Sequence, residues 1–459
     1  MNPHIAEVIE TPQLVLGRKS RSDITELIAK PLDEFPTRRW WIAFLITSSL
    51  MVYGFTCIGW TFYNGIGLWG NNNPVGWGFD IVNFVFWIGI GHAGTLISAI
   101  LFLFRQKWRC SINRAAEAMT IFAVMCAGIF PLIHVGRPWF AWFLFPLPTQ
   151  LHVWVNFRSP LLWDVFAVST YFLISALFWF MGLIPDLATL RDRTKNPIKK
   201  TIYALLSLGW RGSSHQWKHY ESAYMIFAGL STPLVLSVHS IVSFDFATSI
   251  IPGWHTTIFP PYFVVGAIFG GFAMVLLLLV ATRKLFKLEH LITLTHLDAM
   301  NKIILFCSLV IGYAYATELF TAWYSGNQFE KYAFLNRITG PYGWTYGVMV
   351  LCNVLAPQLF WVRKLRHSTS AMLVVAVLVT IGMWFERFVI IATSLTRDFL
   401  PSSWGMYYPT WVDLSILAGS FGLFLTLYLL FVRVLPVISI SEIKGIMKKS
   451  APEGEADDV

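Results

Sequence analysis

Met274-Val275-Leu276-Leu277-Leu278-Leu279-Val280 decides the fold class. These seven residues sit inside a longer run, 259–282, that carries no Asp, Glu, Lys or Arg. At 1.5 Å per residue that run is about 36 Å of helix, enough to cross a hydrocarbon core of ~30 Å. It does not alternate polar with apolar residues as a barrel strand does, and neither does Val374–Thr380. Working outward, comparable runs cover 39–62, 79–104, 115–134, 160–184, 221–243, 301–323, 341–362, 371–395 and 412–435. Composition agrees, since 459 residues with 56% hydrophobic and 13% charged side chains hold more apolar surface than a soluble core can bury. The expected fold is all-α: a polytopic membrane protein of about ten transmembrane helices. No signal peptide is expected, because the first ~38 residues are polar and the first apolar run is too long to be cleaved.

Basic residues fall in short clusters between the apolar runs, which marks membrane loops and argues against nucleic acid as a partner. Counted over alternate loops, 27 of the 34 Lys and Arg fall on one side and 5 on the other, while Lys302 and Arg387 lie inside spans. The positive-inside rule then predicts a bacterial cytoplasmic (inner) membrane protein with both termini in the cytoplasm.

Spans 2 and 6 repeat at an offset of 177: Phe86 with Phe263, Gly89 with Gly266, Gly94 with Gly271 and Lys107 with Lys284. The repeat is parallel and divides the chain into two four-helix bundles with two flanking helices. The expected organisation is 1–38 as a cytoplasmic segment and 39–78 as the first helix with its outer loop. A first bundle with the site occupies 79–243, a second 244–395, the tenth helix 396–440, and a charged, disordered cytoplasmic tail 441–459.

Ionisable residues inside spans are costly and are functional candidates by default. Most are expected toward the outer leaflet. His134 closes span 3, where Gly136 and Pro138 stop the helix. Ser159 is the expected cap of span 4, with Pro160 as its first residue and Asp164 one turn in. His239 and Asp245 end span 5, Glu318 ends span 7, and Glu386 and Arg387 lie in span 9. As sequence neighbours, Glu386 and Arg387 point ~100° apart and are expected to find partners on other helices. His92 lies among Gly89, Gly91 and Gly94 at an expected close helix contact. Only His92 reads as mid-span, so no facing pair for a haem is expected. Cys57, Cys110, Cys126, Cys307 and Cys352 form no Cys-x-x-Cys motif, so neither an iron–sulfur cluster nor zinc is expected in this chain. The loop segment Trp139–Pro146 is too short to span and suits an interfacial cover or an aromatic belt.

Histidine and carboxylates in an apolar setting near one leaflet suit a lipid-soluble substrate with ionisable hydroxyls, such as a quinol. Proton acceptors can sit in this chain, but the electrons must leave to a partner. An ion or solute carrier is the reading from another class, disfavoured by the parallel repeat and the one-sided polar groups.

Three segments carry a resemblance: Leu132–Trp139, Asn156–Asp164 and Ser237–Ala247. Together they resemble the NrfD / polysulfide reductase membrane-subunit family, and within it the branch found in alternative complex III. Pro12–Gly17 and Trp40-Trp41 are similar to the C-type member of that branch rather than its F-type paralogue. The resemblance implies menaquinol oxidation near the periplasmic face, with His134 and Asp164 contacting the quinol. Asp245 and Arg387 match polar positions of the pocket or proton exit, and His239, Glu386 and Arg137 join them as candidates. Implied partners are a periplasmic iron–sulfur subunit, multihaem cytochrome c subunits, a second NrfD-like membrane subunit and membrane lipids. The resemblance also allows a terminal oxidase and coupled proton translocation. A quinone-reducing subunit of the same family remains open.

Overall fold

A computed structural model describes residues 14–17, 19–149 and 151–447. Pro12 and Gln13, on which part of the C-type resemblance rests, lie outside the described residues. The described chain is helical with no strand among the described residues. A surface helix α1 (Arg21–Asp33) precedes α2 (Arg38–Asn64), α3 (Phe79–Leu103), α4 (Asn113–His134) and α5 (Pro160–Arg193). A short α6 (Pro197–Leu206) leads to α7 (Ser214–Ala247), α8 (Phe259–Leu285) and α9 (Leu294–Tyr324). After α10 (Gln328–Thr339), α11 (Gly343–Val350) and α12 (Arg363–Arg366) come α13 (Thr369–Phe388), α14 (Trp411–Val434) and α15 (Ile440–Ile446).

Nine helices among the described residues are long and apolar enough to cross a membrane. The run 341–362 is the tenth helical passage, but it is not one α-helix. Gly343–Val350 is α-helical, Leu351–Leu355 forms a π-turn and Ala356–Trp361 a 3₁₀ stretch. A second π-turn, Val389–Thr393, extends α13. Such turns free backbone carbonyls that neighbouring side chains must satisfy. Ser308 donates to the Asn353 carbonyl at 2.7 Å, and the Trp254 indole donates to the Ile390 carbonyl at 2.6 Å.

The two four-helix bundles are α3, α4, α5, α7 and α8, α9, the 343–361 passage, α13, while α2 and α14 flank them. Helices α3 and α8, the two repeat-related spans, pack directly on each other at the middle of the molecule. Glycine makes these approaches possible. A Cβ on Gly271 would lie 2.3 Å from the Ala93 Cβ, and one on Gly94 would lie 1.9 Å from the Ala116 carbonyl oxygen across the α3–α4 contact. Gly94→Ala is therefore expected to destabilise the protein by about 1–3 kcal/mol through overpacking, read as a lower thermal midpoint of the purified chain. An unchanged midpoint would mean that α3 and α4 do not cross this closely.

Two expectations at the helix ends need correction. Arg109 and Arg114, among the basic residues expected in a loop between spans, are buried. Arg114 bonds Glu117 at 2.9 Å, the Gly182 carbonyl at 2.7 Å and Asp186 at 3.3 Å, because α5 continues past 184 and brings Asp186 under α4. The charged tail starts folded: Glu442, on α15, pairs with Arg109 at 3.1 Å. Residues 448–459 of that tail lie outside the described residues. His215 and His219 lie on the first turns of α7, 3.1 Å apart and exposed. All five cysteines are buried and free. These basic helix ends form one face of the molecule, and the ends carrying His134, Asp164 and Asp245 form the other.

Candidate functional site

Helix α4 ends at His134, and Gly136 turns the chain with a φ of 78° before Pro138. A positive φ is cheap for glycine alone, so the helix stops here and leaves the His134 ring, about 30% exposed, at the rim. Its Nδ1 bonds the Asp80 carboxylate, in the first turn of α3. Asp80 is itself held by the Gly78 backbone N–H at 3.0 Å. With Nδ1–H donating to Asp80, the lone pair resides on Nε2, which leaves the ring an acceptor for an incoming hydroxyl.

Asp164 lies on the second turn of α5. Ser159 occupies the N-cap position, as expected, but its side chain makes no capping bond, and Pro160 starts the helix without needing one. The Asp164 carboxyl is buried and neighbours that of Asp245, which is half-buried. Helix α7 runs on to Ala247, so Asp245 is on the last turn of that helix, past the expected span end at 243. The Oδ1 atom of each has no hydrogen-bond partner among the described residues. His134 and Asp164 are thus not each other's partners: each has its own acid, Asp80 and Asp245.

The rim is apolar and aromatic. Pro138–Leu144 forms a 3₁₀ helix, and Trp139, Phe157, Leu161 and Phe166 are exposed around it. Arg137 is exposed, with its guanidinium 5.7 Å over the Trp139 ring.

Deeper in the first bundle, His239 proves to be as central as His92. Their ring centroids are 4.3 Å apart, and His92 stacks on Tyr171 at 4.9 Å. The His92 Nδ1 meets the Ile88 carbonyl at 2.5 Å, while its Nε2 and both His239 nitrogens lack partners among the described residues. The Tyr171 hydroxyl reaches Thr95 at 3.0 Å, and Thr95 reaches Ser175 at 3.1 Å. Beyond them lie Glu117, Arg114 and Asp186 at the basic face. Buried polar groups therefore line the bundle from one face to the other, and not only toward one leaflet as expected from the sequence.

Glu386 and Arg387 also differ from expectation. Despite pointing apart at Cα, their side chains meet, with Nη1 and Oε1 2.8 Å apart. Arginine has four side-chain torsions and can fold back along its own helix, which a fixed ~100° separation ignores. The alignment is poor for a hydrogen bond, and both Arg387 terminal nitrogens remain without one. The expected partners from other helices are present as well: Tyr315 donates to Glu386, Asn353 lies 3.4 Å from it, and the Arg387 guanidinium sits 4.4 Å above the Phe263 ring. Glu318 is buried at the same end of the second bundle.

Asp80, Tyr171, Tyr315, Asn353 and Asp186 are not singled out by the sequence. Asp80 resembles any acid in a first helical turn, and tyrosine or asparagine within an apolar run carries no distinguishing local pattern. Only its place as the one charged residue of the run 79–104 hints at Asp80.

The fold and the site define a class: an integral membrane protein with a buried acid–histidine cluster opening on one face. The model of the polysulphide reductase NrfD family matches residues 67–397, which take in both bundles, and the chain belongs to that family. It is 22% identical over 436 residues to a putative dimethyl sulfoxide reductase membrane subunit, of C type, from Halobacterium salinarum, covering 87% of this chain and 91% of that protein. The C-type subunit of a selenate reductase from Mesobacillus selenatarsenatis is 27% identical over 210 residues, 44% of this chain and 47% of that one. An Hdr-like menaquinol oxidoreductase integral membrane subunit of Archaeoglobus fulgidus is 24% identical over 349 residues, 73% of this chain and 75% of its own length.

Proposed function

We propose that this chain is the quinol-oxidising membrane subunit of a respiratory complex of the alternative complex III type. Menaquinol binds between the aromatic rim and the two acid pairs, His134–Asp80 and Asp164–Asp245. The observation that carries this reading is the buried Asp164 carboxyl with Asp245 as its neighbour, beside an apolar rim on the face where His134 presents its free nitrogen. A relative named as a menaquinol oxidoreductase subunit supports the substrate class.

Oxidation of a quinol to a quinone releases two protons and two electrons. The His134 Nε2 accepts one hydroxyl proton, and Asp80 steadies the imidazolium that results. The Asp164–Asp245 pair accepts the second. Both electrons leave this chain, and an iron–sulfur partner subunit with multihaem cytochrome c subunits would supply their acceptors. Arg137 and the aromatic rim border the entry. His239, His92 and Tyr171, with Glu386 and Arg387 alongside, extend the polar column below the site and serve proton movement through the bundle. His239 is six residues from Asp245 on α7, about 9 Å along its axis.

The test is quinol-dependent reduction in the isolated complex. Adding a menaquinol is expected to reduce its haem and iron–sulfur centres, and a complex whose centres stay oxidised overturns the reading.

The same proposal places the His134 face in the periplasm and the basic face in the cytoplasm, supported by the 27-to-5 division of Lys and Arg. A reporter fused after Val459 is expected to be active only if it is one that works in the cytoplasm, and one inserted near Asn72 only if it works in the periplasm. The reverse pattern at either position would invert the assignment.

A further inference from the structure

A cavity of about 600 Å³ opens on the basic face, far from the acid–histidine site. The last turns of α5, the turn at Trp210–Gly212, the start of α7 and helix α15 enclose it. Five cations reach it, Arg21, Arg109, Arg191, Arg211 and Lys444, against three acids, Asp192, Glu221 and Glu442. Arg191 is neutralised by Asp192 at 2.7 Å. Among the described residues, Arg21, Arg211 and Lys444 form no ion pair, so the cavity keeps an excess of positive charge.

Arg109 makes this more than a basic surface. Only 5% of it is exposed, its guanidinium lies 4.7 Å over the Phe102 ring, and Nη1 has no hydrogen-bond partner among the described residues although Glu442 takes Nη2. A buried guanidinium with an unused donor, lining a positively charged cavity, calls for an anion with several acceptor oxygens.

The surroundings identify what carries that anion. Helix α6, which ends four residues before Trp210, exposes Ile198, Ile202 and Leu205 on one face, at the i, i+4, i+7 spacing of an interfacial amphipathic helix. Leu208 continues the exposed apolar strip. Trp210, Trp217 and Tyr220 pack edge to face at the cavity, as aromatic side chains do at headgroup depth. A soluble phosphate needs no such strip. A diacyl lipid does.

We propose that this cavity binds the phosphate headgroup of an anionic phospholipid whose acyl chains lie along the exposed face of α6. The bound lipid ties α15 and the α6–α7 turn to the ends of α3 and α5. The proposal rests on the membrane-spanning fold alone, so it stands or falls apart from quinol oxidation and from the assignment of faces.

The test uses the full chain in its complex, stripped of lipid by detergent exchange and then mixed with phosphatidylglycerol, with phosphatidylcholine or with inorganic phosphate. Phosphatidylglycerol is expected to raise the thermal midpoint of the chain and to remain as an adduct in native mass spectrometry, while the other two do neither. Arg211 and Lys444 form no ion pair among the described residues, so the Arg211→Gln/Lys444→Gln variant should match the parent's lipid-free midpoint yet bind phosphatidylglycerol roughly 30-fold more weakly. Equal effects of phosphatidylcholine would overturn the anionic headgroup. A shift from inorganic phosphate alone would make this a free-anion site, and undiminished binding by the double variant would remove the cavity from the interaction.

Discussion

Asp164→Asn is expected to lower quinol oxidation by the assembled complex about 10²–10⁴-fold, the usual loss when a positioned general base is removed. The substitution is close to isosteric, and its amide can still donate to Asp245, so the α5–α7 contact survives. What disappears is the proton-accepting capacity of the pair. Asp245→Asn should produce a similar loss, and the double variant little more than either alone, because the two carboxyls act as one unit. The assay is quinol-to-cytochrome electron transfer, with assembly of the complex checked by native gel. Near-parental turnover in a fully assembled Asp164→Asn complex would sink the proton-accepting role, leaving the pair as a helix contact only.

Arg114→Ala is expected to have the largest effect on stability. The guanidinium is buried against Glu117, Asp186 and the Gly182 carbonyl, so its removal strands two carboxylates away from water. Breaking such a buried ion cluster from one side costs about 3–5 kcal/mol. Folded protein recovered from membranes should fall sharply, with a lower thermal midpoint in what remains. The triple variant Arg114→Met/Glu117→Gln/Asp186→Asn removes the stranded charges and should recover much of the loss. If Arg114→Ala melts with the parent, the cluster does not hold α4 to α5. Gly182 belongs to the same arrangement, since a Cβ there would lie 2.5 Å from an Arg114 nitrogen.

Amino-acid order alone determined the membrane class and the all-α fold with its apolar helices. The reason is physical: the cost of leaving peptide groups unpaired in hydrocarbon makes any long uncharged run a helix, whatever surrounds it. The end of α4 was equally local, because Gly136 and Pro138 terminate a helix through their own backbone torsions. Tertiary structure alone decided which polar groups meet. His134 finds Asp80, 54 residues away, and Asp164 finds Asp245, on a helix beyond α6. Those choices depend on how each helix is rotated and how closely it crosses its neighbours, which Gly94 and Gly271 set at the centre of the molecule. Periodicity tells which face of a helix a residue occupies, not which helix that face will meet. The same limit hid the burial of Arg109 and Arg114, the fold-back of Arg387 onto Glu386, and the π-turn that interrupts the passage after α11. Each arises where packing between distant segments overrides what neighbouring residues imply.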